Sequence, residues 1–212
     1  GQTIEEVYAQ PGEFGLGNLI TDAYRYAIDE AEDRSRHIDA AVTMLGSIRS
    51  SLYEGDISVS DVFQTVSLGP PDESEPVKTG LCGNTIVVIY LKGSDLKKLI
   101  EVHASLAPAK SDAYLSISGV RFRYNPNRVI FDRVTSVEVQ GDNQSYLPID
   151  NKRLYSVAIN SYIASLIDLI GKKTHNILKI TPRDKAGNPV TNINDLMVRH
   201  PNGEPLREWI PL

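Results

Sequence analysis

The side chains best able to do chemistry in this 212-residue sequence are few and far apart. Histidines stand at His37, His103, His175 and His200, and none pairs with another as H-x-H, H-x-x-x-H or H-E-x-x-H. Hydrolysis at a two-metal site needs several His and Asp ligands converging on a pair of ions, and no such cluster is present. Each histidine therefore reads as a surface or helix-end imidazole. The single cysteine, Cys82, has no partner for a disulfide, zinc knuckle or redox pair. Nucleophile-elbow, phosphate-loop and dinucleotide-binding patterns are absent. The residues furnish no self-contained nucleophile, base and metal set. The chain is expected not to be catalytic on its own and to carry no cofactor.

Composition narrows the classes further. A hydrophobic fraction of 41% with 23% charged residues suits one substantial core, with or without an appendage. A net charge of -5 and a pI near 5.4 argue against nucleic acid or an anionic membrane as the main partner. They leave room for a single bound nucleotide, which needs only one or two local cations. No run approaches the ~20 apolar residues that span a bilayer. The opening Gly1-Gln2-Thr3 carries no leader pattern and reads as a start within a longer chain.

The elements that must position any site follow from periodicity. Leu16, Leu19, Ile20, Ala23, Tyr24, Ala27, Ile28 and Ala31 form the buried stripe of a long amphipathic helix. Asp39 to Met44 reads as a short buried strand. Ser58, Ser60 and Asp61 offer hydroxyl and carboxylate N-cap candidates for a short helix beginning there. Gly69 to Pro76 is a proline- and acid-rich loop. Ile86 to Leu91 has the continuous β-branched character of a central strand buried on both faces. Ser94 then caps a helix that turns Leu96, Leu99, Ile100 and Ala104 inward. Strands are expected at 114–117, at 120–124 with Val120, Phe122 and Tyr124 on one face, around Val134 to Val139, and at 155–160. A Gly141-Asp142-Asn143 turn follows the third of these. Tyr162, Ile163, Leu166, Ile167 and Ile170 recur at helical spacing up to a stop at Gly171-Lys172-Lys173. The whole reads as an α+β fold of mixed sheets flanked by helices.

Four segments in order carry a resemblance. They are Gly15-Leu16-Gly17-Asn18-Leu19-Ile20-Thr21-Asp22-Ala23, then Met44-Leu45-Gly46-Ser47-Ile48-Arg49, then Gly83-Asn84-Thr85, and Leu91-Lys92-Gly93-Ser94-Asp95-Leu96. Together they resemble the C-terminal domain of the 5'-nucleotidase family of two-domain metallophosphatases. The resemblance implies a layered α/β/β/α domain over residues 1–180, with 181–212 as an extension packed on it or trailing from it. It also implies that two divalent metals and the catalytic Asp and His belong to an N-terminal metallophosphatase domain of the same polypeptide, absent from this chain. The location implied is extracytoplasmic.

The same resemblance nominates substrate-binding residues. The family's Asn-Gly-Gly-Gly-Ile-Arg segment becomes Met44 to Arg49 here, keeping Gly46 and Arg49 but not the Asn. A guanidinium offers a rigid donor fork for phosphate or ribose oxygens. The first of two base-stacking rings falls on Ile86, and the second on Tyr162, which also lies on the apolar stripe. The ribose-binding Asp corresponds to Asp168, but Leu166, Ile167 and Leu169 replace the glycines around it and favour a helix. The insertion through Cys82 enters beside the presumed pocket. Two functions stay open: the nucleotide-binding, specificity-giving domain of a secreted phosphoesterase, or an interaction module that keeps the fold without nucleoside recognition.

Overall fold

A computed structural model describes residues 3–9, 13–31, 37–67, 83–141 and 143–212. The expected 69–76 loop and Cys82 lie outside them. The expected long helix is α2 (Gly15–Ala31), preceded by the short α1 (Ile4–Ala9). Its buried face is Gly17, Ile20, Thr21, Tyr24 and Ile28. Leu19, placed on the stripe from sequence, is 49% exposed. Two residues beyond Gly17, it sits about 160° around the helix from that glycine. Gly17 itself has a steric reason to be glycine. A Cβ there would fall 2.1 Å from the Ser116 hydroxyl, so the helix reaches its neighbouring strand only without a side chain.

Strand β1 (Ala40–Met44) is followed by a turn of 3-10 helix, Leu45–Ser47. Helix α3 (Val59–Thr65) begins with a full capping box, in which Ser58 accepts from the Asp61 amide while Asp61 accepts from that of Ser58. Then come β2 (Ile86–Lys92) and α4 (Gly93–Leu106). Helix α4 does not start with Ser94 as its cap. It starts two residues earlier, with Lys92 at the cap position and no side-chain bond. The Gly93 and Ser94 amides donate instead to the carbonyls of Arg153 and Asn151, so backbone satisfies the helix end.

Strands β3 (Leu115–Ser118), β4 (Val120–Tyr124) and β5 (Val134–Gln140) match their expected places. After the 141–145 turn the chain forms β6 (Tyr146–Pro148), too short for its alternation to register in the sequence. Strand β7 (Leu154–Asn160) leads directly into α5 (Ser161–Lys173).

The strands form two sheets. The first has the order β2-β7-β1-β3, with β1 and β7 parallel and the other pairs antiparallel; the second is β4-β5-β6, antiparallel throughout. Alternate residues of the first sheet enter two cores. Val42, Val87, Ile89, Val157 and Ile159 pack with α4, α5 and β4–β5, while Ala41, Ile86, Val88 and Ala158 pack with α1 and α2. This is the α+β arrangement of two sheets and covering helices. Gly119 is the pivot between sheets, at φ +78, where a Cβ would lie 2.2 Å from the Asp39 carbonyl. Arg25 of α2 ties both sheets together, donating to the Ile38 carbonyl, the Ser118 hydroxyl and Gln140.

Strand β2 is buried as expected, but it is not central. It is the lateral strand of its sheet, and the chain after residue 181 covers its free side. Isolated bridges join Tyr90 to Arg183, Val87 to Met197 and Thr85 to Arg207. Those pairings give a lateral strand the apolar composition of an interior one.

Candidate functional site

Because β1 and β7 run parallel and β2 runs against β7, three chain segments meet at one end of the first sheet. They are the exit from β1, the exit from β7 and the entry to β2. Gly46 sits in the 3-10 turn beyond β1, where a Cβ would come within 3.2 Å of Asp112. Arg49 follows it. The Arg49 amide donates to the Thr65 carbonyl at 2.8 Å, fixing the backbone, while the side chain is exposed. Tyr162 lies in the first turn of α5 just past β7 and is 41% exposed. The ring is therefore not part of the buried stripe, which Ile163 and Ile167 supply.

Asp168 is not placed at this end. The stretch around it is helix, as the loss of glycines implied, and its backbone lies six residues on from Tyr162, about 9 Å along the axis and a third of a turn away. Its side chain lies outside the described part. Ile86, at the expected position of the first ring, is fully buried within the core beside α2 and offers no stacking face. Leu45, near the lost Asn, is likewise buried, and Met44 is half-buried. The structure thus brings Gly46, Arg49 and Tyr162 to neighbouring strand exits, and leaves Asp168 on a helix running away from them.

The residue the sequence did not flag is Glu208. Its carboxylate is 1% exposed and closes the interior of this same end. One oxygen accepts from the Tyr24 hydroxyl at 2.7 Å and from the Asn160 amide at 2.8 Å; the other accepts from the Asn84 amide at 2.9 Å. Burial pushes the Glu208 carboxyl up to about 7, against the pull of its three donors. Tyr24, buried and facing that carboxylate, is raised well above the usual phenol range. Asn160 spends its other atom as the N-cap of α5, accepting from the Ile163 amide at 2.8 Å. Its amide is thus oriented by a charge on one side and a helix on the other. Backbone bonds reinforce the grip: Glu208 donates to the Asn84 carbonyl, Ile86 to Leu206, and the Arg207 guanidinium to the Gly83 carbonyl. The Gly83-Asn84-Thr85 segment is shaped by the end of the chain. Only a partner for the buried Asn84 amide, 124 residues distant, could have revealed Glu208 beforehand, and sequence spacing carries no such signal.

His103 corrects another expectation. It stands in the last turn of α4, at a helix end as expected, but it is a buried ring rather than a surface one, and burial pushes its pKa down to about 4. The Leu115 amide donates to its Nδ1, which puts the proton of the neutral ring on Nε2. Among the described residues, no three His, Cys, Asp or Glu side chains are grouped as a metal ion would require. The described residues do not fit the divalent metals of a phosphoesterase.

A mixed sheet with a parallel β1–β7 pair, a second antiparallel sheet and covering helices define an α+β domain with an arginine and a tyrosine exposed at adjoining strand exits. The chain belongs to the 5'-nucleotidase family, whose C-terminal domain model matches residues 2–170. It is similar to Protein 5NUC of Lutzomyia longipalpis, 30% identical over 158 residues, covering 71% of this chain and 26% of that one. It is also similar to the trifunctional nucleotide phosphoesterase protein YfkN of Bacillus subtilis, 25% identical over 153 residues, covering 72% of this chain and 9% of that one. Among solved structures, a 5'-nucleotidase precursor of Thermus thermophilus superposes with a TM-score of 0.59 at 28% identity, covering 82% of this chain and 30% of that one. The chain spans less than a third of each of these relatives.

Proposed function

We propose that this chain is the nucleotide-binding, specificity-giving part of a secreted or periplasmic 5'-nucleotidase-like phosphoesterase. The observation that carries the reading is the meeting of the β1 and β7 exits, which sets exposed Arg49 and half-exposed Tyr162 on adjacent segments. Arg49 offers bidentate donors to a phosphate or ribose oxygen, and Tyr162 offers a face to a base. A separate N-terminal metallophosphatase domain of the same polypeptide supplies two divalent metals and the bond-breaking chemistry.

A second reading is favoured by specific observations: Ile86 is buried where the family has a stacking ring, half-buried Met44 stands where it has an Asn, and helix replaces the turn around residue 168. In that reading the fold serves as a binding or interaction module without nucleoside recognition. Isothermal calorimetry with adenosine and AMP separates the two. Saturable binding that Arg49→Ala and Tyr162→Ala each weaken by about tenfold supports the first reading. Absence of binding across a nucleoside panel overturns it in favour of the second.

A further inference from the structure

The two lateral strands of the first sheet are treated differently. The free side of β2 is covered by the chain after residue 181, whereas β3 borders a cavity of about 590 Å³. Glu13 and Asn18 of the α2 entry, His103 of α4, Tyr114, and Phe122 and Tyr124 of β4 contribute to its walls. The rings converge. His103 lies edge-on to Tyr114 at 4.4 Å and to Phe122 at 5.2 Å, and Tyr124 stands 6.2 Å from it. The volume falls within the ordinary range for a small-molecule pocket.

Polar groups at the cavity specify what would fill it. His103 is more than nine-tenths buried, its Nδ1 is occupied by the Leu115 amide, and its Nε2–H has no acceptor among the described residues. At the mouth the exposed Glu13 carboxylate accepts from the Asn18 amide at 3.2 Å and keeps further acceptor capacity. Tyr114 is held up to about 12 by burial and then by Glu13 and Tyr124, so it stays a neutral phenol. A neutral donor inside, a carboxylate at the rim and π faces between them ask for one ligand chemistry. The ring must accept a hydrogen bond at its inner edge and donate from an amine at its outer edge. Arg121 also borders the groove, but its guanidinium is stacked 3.8 Å over the Tyr146 ring, and a phosphate at the mouth would meet Glu13 unfavourably. A peptide strand added to β3 would find the Leu115 amide already spent, and the strand is only four residues long.

We propose that this groove is a binding site for a flat nitrogen heteroaromatic ring bearing an exocyclic amine; Tyr114 and Leu115 place it against the β1 exit, but none of Gly46, Arg49 and Tyr162 lines it. A ring nitrogen accepts from His103 Nε2–H, the amine donates to Glu13, and Tyr114, Phe122 and Tyr124 supply the stacking and edge contacts.

The test is a titration of the 212-residue chain with adenine, followed by NMR of the histidine and tyrosine ring signals, with purine, which lacks the amine, as the comparison. Saturable shifts at His103 and Tyr114 are expected. Glu13→Gln should weaken adenine by about tenfold while leaving purine unchanged, as loss of a charge-assisted bond predicts. Glu13 is exposed, so this substitution leaves the fold intact even if Tyr114→Ala does not. Arg49→Ala and Tyr162→Ala should leave the His103 shifts as they are, which separates this site from the proposed nucleotide site. Adenine shifting Tyr162 but not His103 overturns the proposal, as does equal binding of purine and adenine or no shift at millimolar adenine.

Discussion

Replacing Glu208 by Gln should change how stability depends on pH far more than it changes the fold. The Glu208 carboxyl stands at about 7 in the native state against 4.5 for the free group. A pKa raised by folding stabilises fully below the unfolded value and loses that stabilisation as pH rises through the folded one. The full loss is about 3 kcal/mol, most of which falls between pH 5 and 8. His103 acts with the opposite sign. Its pKa, lowered from 6.5 to about 4, gives stability that is present above pH 6.5 and lost as pH falls. Between pH 8 and 5 that loss is about 2 kcal/mol. The two slopes nearly cancel, so this pair leaves the wild-type chain almost flat across the window while each member hides the other.

Glu208→Gln removes one slope and unmasks the other. The glutamine oxygen can still accept from Tyr24 and Asn160, and its amide meets Asn84, whose own amide can turn to present oxygen. Urea denaturation of both chains at half-unit steps from pH 5 to 8 gives the difference in unfolding free energy, from which His103 and every other shared group drop out. That difference should move in the variant's favour by roughly 2–3 kcal/mol as pH rises, a relative shift of about 5–10 °C in Tm for a chain of this size. A difference that stays constant with pH would refute the argument, because it would mean that Glu208 titrates alike in the folded and unfolded chains.

Three further outcomes follow from the packing. Gly17→Ala should destabilise by about 1–3 kcal/mol in chemical denaturation, since its methyl meets Ser116 and Phe14 at less than 3 Å and the α2–β3 contact must open. Ser58→Ala should cost about 1 kcal/mol by removing the α3 cap, and Ser58→Asp should restore most of it. Deleting residues 182–212 uncovers β2 and removes Leu206 and Glu208 from the interior, so gel filtration should show aggregation in place of a monodisperse, cooperatively unfolding chain.

Much of the fold was legible because its signals are local. The α2 stripe, the Ser58–Asp61 cap, the alternation of β4 and the helix replacing a glycine turn around residue 168 are each decided within a few residues. Failures came where a distant partner decides. Strand β2 looked interior because residues 183–207 bury it, and the start of α4 is set by the carbonyls of Arg153 and Asn151 rather than by Ser94. His103 looked peripheral because its ring partners come from Tyr114 and β4. The placement of Gly46, Arg49 and Tyr162 just beyond two strands was legible from local pattern. Its interior, Glu208 with Asn84 and Asn160, depends on contacts across 124 and 48 residues that no spacing rule encodes.

The opening glycine-rich motif gains a structural meaning from these contacts. Gly17 admits β3, Thr21 bonds back to the Gly17 carbonyl, and Asp22 accepts from Ser118, so the segment is a docking surface for a strand rather than a ligand loop. The Gly83-Asn84-Thr85 motif likewise faces inward, to the end of the chain. What reaches solvent at the strand exits is Arg49 and Tyr162. The features that mark the family are thus the ones that assemble the sheet, and they are held by buried contacts whose replacement would cost stability. Exposed positions such as Arg49 and Tyr162 cost little stability to change, whereas Ile86, at the place of the family's first ring, is absorbed into the core, so the chain keeps this architecture while departing from the family's pattern there.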